Sequence, residues 1–132
     1  MKESNVIPFD SKNRIMEKAG LYADSAELFL EEKDTAVSLL LKALKYADTD
    51  LLQKIIMLLS NFAPQDAVQP IFDILHDSSR DDHARHLASV QLSHILPALP
   101  EPESEPLTDI LLKDLGDPDP EIRMYAASAL GW

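Results

Sequence analysis

Apolar residues recur at intervals of three and four along most of the chain, a pattern typical of amphipathic helices. The first helix is predicted from about Ser11 to Glu32, and Gly20 is where it can break, because a helical glycine costs about 1 kcal/mol. No segment alternates with period two, and no Asn-Gly or Asp-Gly hairpin turn occurs. The pattern therefore predicts an all-α protein.

Polar turns divide the remaining chain into further helices. Asp34 and Asp66 stand where they can cap the second and fourth helices, and Asp48-Thr49-Asp50 interrupts the pattern between the second and the third. Residues 97–106, PALPEPESEP, predict an extended and solvated linker. One helix is predicted from about residue 107 to 115, and a last one after the turn at 116–120.

An internal repeat relates these helices. The segments LLKAL (40–44), IFDIL (71–75) and LLKDL (111–115) each precede an Asp-rich turn and a second apolar helix. Each unit is a helical hairpin, and such a hairpin cannot bury its apolar face without a neighbour stacked on it. We therefore predict hairpins at about 34–62, 66–96 and 107–132, with Leu112 in the core.

Composition narrows the class of protein. The 132 residues, 45% of them hydrophobic, suffice for one domain, predicted at 11–132 after a disordered segment at 1–10. Twelve basic against 23 acidic residues give a net charge of −11, which disfavours nucleic acid as a partner. The chain has no cysteine, no apolar stretch of about 18 residues and no signal-peptide core. These features favour a cytoplasmic protein that does not enter membranes.

Residues 111–131, LLKDLGDPDPEIRMYAASALG, resemble the HEAT-repeat family, and most closely its short bacterial members related to phycobilisome-lyase-type repeats. The positions that match are Asp117, Asp119, Pro120, Ile122, Arg123, Ala126, Ala127, Ala129, Leu130 and Gly131. Residues 66–96 match more loosely, at Asp81, Ala84, Arg85, Ala88 and Leu92, and residues 34–62 keep only the apolar pattern. The resemblance implies a right-handed α–α superhelix of about three hairpins with an additional N-terminal helix.

The turn at 117–120 is interpreted as a structural joint. Pro120 in a first helical turn loses no hydrogen bond, and Asp117 or Asp119 can accept bonds from the free amides at the helix start. The resemblance further implies a ladder in which an arginine of one repeat binds a turn aspartate of the adjacent repeat. The expected contact joins Arg123 to Asp81 or Asp77, with Arg85 as the corresponding arginine of the preceding repeat.

A second helical repeat fits part of the chain. Residues 26–47 resemble a tetratricopeptide hairpin, with Ala36 and Ala43 at its small-residue positions. No second copy follows at the period of 34 residues typical of that family. We therefore prefer the HEAT-like interpretation.

Four histidines within nineteen residues form the main candidate for chemistry: His76, His83, His86 and His94. His83 and His86 are three apart on one predicted helix, so they could share zinc or iron with His76, Asp81 or Asp82. We favour the simpler interpretation that they are exposed positions beside a buried stripe, and we predict no metal and no cofactor. The chain lacks a phosphate-binding loop, a nucleophile elbow and the His-Glu doublets of HEAT-like hydroxylases, so no enzymatic activity is predicted.

The resemblance places the second helices of the hairpins along a concave face that binds other proteins. The residues expected there are Met57, Asn61, His86, Ser89, Ser93, Met124 and Ser128. The predicted function is a non-enzymatic adaptor or scaffold for another protein. The alternative is an auxiliary subunit or enzyme of the HEAT-containing lyase or hydroxylase type with a histidine-based site.

The last helix carries an apolar edge with little sequence after it. Its members are Tyr125, Ala126, Ala129, Leu130 and Trp132. The repeats at the ends of helical solenoids usually have a polar outer face. Two explanations remain open: this edge packs on a second copy or a partner, or further repeats follow it.

Overall fold

The computed structural model describes residues 9–131, with side chains from Ser11 onward. This part of the chain contains helices and no strands, which confirms the predicted all-α class. The helices are α1 (Phe9–Asp24), α2 (Ala26–Glu31), α3 (Lys33–Ala43), α4 (Thr49–Phe62), α5 (Pro64–His76), α6 (Asp82–Ile95), α7 (Glu101–Asp114) and α8 (Pro120–Ala129), with a 3-10 turn at Leu96–Ala98. Between residues 9 and 131 we find no helix with the length and apolarity that crossing a bilayer requires.

The first predicted helix breaks at Ser25 and not at Gly20. Ser25 has an extended backbone, with φ at −139°, and its hydroxyl accepts a hydrogen bond from the amide of Leu28 at 3.1 Å. This bond caps α2, so the chain starts a new helix there although Gly20 stays helical. The segment predicted to be disordered, 1–10, lies outside the described residues except for Phe9 and Asp10, which begin α1.

The hydroxyl of Tyr22, which is buried near the end of α1, donates a hydrogen bond to the carboxylate of Glu32. This bond and the burial of the ring raise the pKa of Tyr22 from 10.0 to about 12. Since the folded-state pKa is the higher one, the stability that Tyr22 contributes is complete below pH 10 and is lost as the pH rises through about 12.

We expect the ionisation of Tyr22 near pH 12 when phenolate absorbance is followed against pH. Subtracting the titration curve of Tyr22→Phe from that of the wild type gives the ionisation of Tyr22 alone. In Glu32→Gln the carboxylate charge is gone, and the ionisation should move to lower pH. An identical pKa of Tyr22 in the wild type and in Glu32→Gln would show that the carboxylate of Glu32 does not raise this pKa.

Two of the predicted helix caps are wrong. Asp34 and Asp66 lie inside the first turns of α3 and α5, and neither precedes its helix. The helix α5 begins two residues early, at Pro64, because proline has no amide hydrogen to leave unsatisfied at a helix start. The carboxylates of Asp34 and Asp66 still complement the positive end of the helix dipole from there.

The extended linker predicted at 97–106 is wrong except at Leu99 and Pro100. Leu99 ends the 3-10 turn and Pro100 precedes α7, both with extended dihedral angles, and α7 begins at Glu101. Pro102 falls in the first turn, where a missing amide hydrogen costs nothing, and Glu101 and Glu103 complement the helix dipole. Proline and glutamate therefore start this helix instead of excluding it.

The helix α6 occupies the centre of the fold. It packs against α5, α4 and α8, so α4, α6 and α8 lie side by side in chain order. The helix α5 packs on both α4 and α6, and α7 packs on α8. The helix α1 packs against α3 and α4, so the N-terminal helix is part of the packed structure.

The core residue predicted at Leu112 is wrong by one position. Leu112 is 44% exposed, whereas Leu111 is fully buried. The helix α7 buries only Leu107 and Leu111, one turn apart, because α8 and the 3-10 turn cover only one face of it. The repeated segment LLKDL thus identifies the helical turn that contacts the core, but it does not show which of its leucines faces inward.

Candidate functional site

Three neighbouring helices carry most of the predicted protein-binding residues. We call these exposed or half-buried positions the outer strip: Met57 and Asn61 on α4, His86 and Ser93 on α6, and Met124 and Ser128 on α8. The methionine side chains are the largest apolar groups of the strip, with exposures of 44% and 51%. The strip runs across helices that contact one another in the order α4, α6, α8.

Ser89 does not belong to the outer strip, contrary to the prediction. It is fully buried, and its hydroxyl donates a hydrogen bond to the carbonyl oxygen of His86 at 2.6 Å. The reason is that α6 has neighbours on three sides, α4, α5 and α8, which leaves only a narrow exposed face. A small residue whose hydroxyl is satisfied within its own helix lets a neighbouring helix approach closely.

The later turns of the three helices that carry the outer strip contain no charged residues. No Asp, Glu, Lys or Arg occurs in residues 55–62 of α4, 86–95 of α6 or 124–129 of α8, although the chain carries a net charge of −11. The acidic residues of these helices lie in their first turns, at Asp50, Asp82 and Glu121. Carboxylates at helix starts are stabilised by the helix dipole.

Aspartate side chains start the three helices of the strip. The amides of Leu51 and Ala84 donate to Asp48 and Asp81 at 3.0 and 2.8 Å. Asp119 accepts from the amide of Glu121 at 2.9 Å, and Pro120 takes the first position of α8, as the turn motif predicts. These carboxylates therefore have a structural role.

Two other predicted turn residues organise the turns themselves. Asp117 accepts a hydrogen bond from the amide of Asp119 at 2.8 Å. Asp77 accepts bonds from the hydroxyl and the amide of Ser79, and these bonds lower the pKa of Asp77. Asp77 also forms a long ion pair within its own turn, with its carboxylate 3.9 Å from Nε of Arg80.

The predicted ladder between Arg123 and Asp77 or Asp81 is wrong. The Nη1 atom of Arg123 donates to the carbonyl oxygens of Asp117 at 2.6 Å and Pro118 at 3.1 Å. The exposed arginine therefore closes its own turn. The two carbonyl oxygens of this turn lie within hydrogen-bonding distance of Nη1 and satisfy this atom.

Arg85 instead joins three helices. It is only 5% exposed, and its Nε donates to the carbonyl oxygen of Leu75 in the last turn of α5 at 2.9 Å. Its guanidinium lies 5.0 Å from the ring centre of Tyr125 on α8. The Tyr125 hydroxyl donates to Asp82 at 3.1 Å, and burial together with this bond raises the pKa of Tyr125.

The four histidines do not converge. Nε2 of His76 lies 2.6 Å from the carboxylate of Asp114, and its Nδ1 lies 3.0 Å from the carbonyl oxygen of Phe72. His83, His86 and His94 are exposed along α6. Among the residues that the structure describes, no three His, Asp or Glu side chains are grouped as a metal ion would require.

The apolar edge predicted on the last helix is largely covered. Tyr125, Ala126 and Ala129 are at most 2% exposed, and α8 packs on α6 and α7. Leu130 is half-buried, and Trp132 lies outside the described residues. The surface predicted for self-association is therefore used within the chain, and Met124 is the exposed large apolar side chain of α8.

A groove between α1 and α3, which the periodic pattern does not predict, is a large concave feature of the described residues. Two adjoining cavities of about 550 and about 430 Å³ share Ile15 and Leu39. The remaining lining residues are Arg14, Glu17, Lys18, Leu21, Asp34, Thr35, Ser38 and Lys42. The sequence signal for this groove is a leucine next to a buried position on each helix, namely Leu21 beside Tyr22 and Leu39 beside Leu40. We call it the α1–α3 groove.

We compared the chain with protein-family models, with curated proteins and with solved structures, and none of them matches it.

Proposed function

We propose that this protein is a non-enzymatic adaptor that binds another protein through the outer strip. The observation that carries the proposal is the lack of Asp, Glu, Lys and Arg in the later turns of α4, α6 and α8, in a chain of net charge −11. Charged residues are depleted from the centres of protein interfaces, and methionine is enriched there. Met57 and Met124 supply flexible apolar contacts, and Asn61 and His86 supply hydrogen-bonding groups.

The proposal includes a HEAT-like stack as the scaffold of this strip. Two features support it: the motif at 111–131, and helices that contact one another in chain order, with α6 between α4 and α8. In such a stack each layer rests on its neighbours, so a row of second helices is held as one rigid surface. The histidine-based alternative gains no support, because His76 is engaged by Asp114 while His83 and His86 face solvent separately.

The partner is expected to present a complementary apolar and polar surface of modest size. A strip with two exposed methionines and four polar side chains is more typical of transient interfaces than of obligate ones. The acidic first turns at one edge favour a partner that is basic beside its contact surface, which would increase the association rate at low ionic strength.

The test is capture of partners from native lysate by three forms of the purified protein. The double variant Met57→Asp and Met124→Asp places charges on two helices of the outer strip. The matched control Leu30→Asp changes an exposed leucine on α2, which is 49% exposed and lies outside the strip. We expect the wild type and the control to retain the same protein, and the double variant to lose it. Equal retention of that protein by all three forms would overturn the proposal.

A further inference from the structure

The two ends of the helix row differ in charge. Residues 11–47, which form α1 to α3 and the following turn, contain six acidic and six basic side chains. Residues 97–131, which include α7 and α8, contain eight acidic and two basic ones. Since α1 packs against α3 and α4 while α7 packs against α8, these two regions lie at opposite ends of the row. One end of the molecule is therefore neutral and the other strongly acidic.

The neutral end carries the α1–α3 groove, whose apolar part consists of Ile15, Leu21 and Leu39. Leu21 is 56% exposed and therefore accessible to a partner. The groove has three cationic side chains on its rims, Arg14 and Lys18 on α1 and Lys42 on α3, and two carboxylates, Glu17 and Asp34. Lys18 also lies 3.8 Å from Glu32, in an ion pair whose members are both 42% exposed and hence weakly coupled.

The acidic end carries a matching helix edge. Leu112 of α7 is 44% exposed, and Asp109 and Glu105 precede it by three and seven residues. Residues with this spacing share one face of a helix, and all three are exposed. We call this face the α7 edge: one leucine followed toward the helix start by two carboxylates.

We propose that the α7 edge of one copy docks in the α1–α3 groove of a second copy, in a head-to-tail contact. Leu112 covers Leu21 and Leu39, and Asp109 and Glu105 approach the cationic rims of the groove. Burial of the apolar side chains supplies the attraction between the two copies. The opposite charges at the contact set its orientation, although two molecules of net charge −11 repel each other overall. Because the two surfaces differ, the contact is heterologous and leaves a free groove and a free edge on every dimer.

The contact is expected to be weak. One helix edge in one groove buries less than the roughly 1,200 Å² at which stable interfaces begin. Association should therefore be visible in sedimentation velocity only toward high concentration, up to about 1 mM protein, which corresponds to about −4 kcal/mol of binding.

The test compares the wild type with Leu21→Asp, which alters the groove, with Leu112→Asp, which alters the α7 edge, and with Leu30→Asp as the matched control. All three leucines are at least 44% exposed, so the variants keep the fold. The wild type and Leu30→Asp should associate equally as concentration rises. Each of the other two variants alone should show a dissociation constant at least about tenfold higher.

An equimolar mixture of Leu21→Asp and Leu112→Asp distinguishes this contact from a symmetric one. The first variant keeps an intact α7 edge and the second an intact groove, so the mixture should form one-to-one dimers that cannot grow further. A wild type that is strictly monomeric at about 1 mM, or a mixture that stays monomeric, overturns the proposal. It is also overturned if either variant alone associates like the wild type. Because the outer strip is unchanged in both variants, neither outcome depends on the function proposed for it.

Discussion

Replacing Leu111 with alanine is expected to destabilise the protein by about 2–5 kcal/mol, the range for deleting a fully buried leucine side chain. Leu111 is one of only two buried residues on α7, so its loss removes much of what holds this helix to the rest of the fold. The adjacent replacement Leu112→Ala is expected to change stability by only about 0.5 kcal/mol, since Leu112 is 44% exposed.

Urea unfolding measured by far-ultraviolet circular dichroism checks this pair of variants. The two proteins differ by the position of one alanine in the same helix turn, so helix propensity is matched. A large drop in the unfolding midpoint is expected for Leu111→Ala alone. Equal losses of stability in both variants, or a greater loss for Leu112→Ala, would show that α7 turns a different face toward the core.

Replacing Arg85 with alanine is expected to cost about 2–4 kcal/mol. The change leaves the carbonyl oxygen of Leu75 without a partner in a buried site, which by itself costs about 1–3 kcal/mol. It also removes the guanidinium from the face of Tyr125, a contact worth about 0.5–2 kcal/mol. Arg85→Lys should recover only part of this, because a lysine lacks both the planar stacking surface and the Nε donor.

Arg123→Ala is the matched control for Arg85→Ala. The repeat pattern of the sequence makes these arginines equivalent, but Arg123 is exposed and bonds only to carbonyl oxygens of its own turn. Its loss is expected to cost less than about 1 kcal/mol, which thermal unfolding of both variants will measure. If Arg123→Ala proves the more destabilising change, the cross-helix role assigned to Arg85 is wrong.

Periodicity in the sequence was sufficient to predict the all-α class and most of the helices, because apolar residues recur on the buried face of a helix every three or four positions. The errors lie where two local signals compete. Gly20 suggested a break that the capping side chain of Ser25 creates instead. At residues 97–106 the prolines suggested an extended chain, yet Pro102 occupies a first helical turn, the position at which a proline is well tolerated.

The outer strip was predicted more accurately than the contacts between helices. Spacing along a single helix placed Met57, His86 and Met124 on exposed faces. It could not place Ser89, since the burial of that residue depends on α6 having three neighbours. The partner of Arg123 and the α1–α3 groove likewise depend on distances between elements, which a periodic pattern does not contain.

The row formed by α4, α6 and α8 is the central structural claim, and spin labels on Met57, His86 and Met124 test it most directly. The chain has no cysteine, so Met57→Cys, His86→Cys and Met124→Cys can be combined in pairs and labelled without background. Packed helices lie about 8–10 Å apart, so electron paramagnetic resonance should give two similar short distances, for 57–86 and 86–124. The 57–124 distance is expected to be about twice as long. Three similar distances, as in a bundle around one centre, would contradict this arrangement.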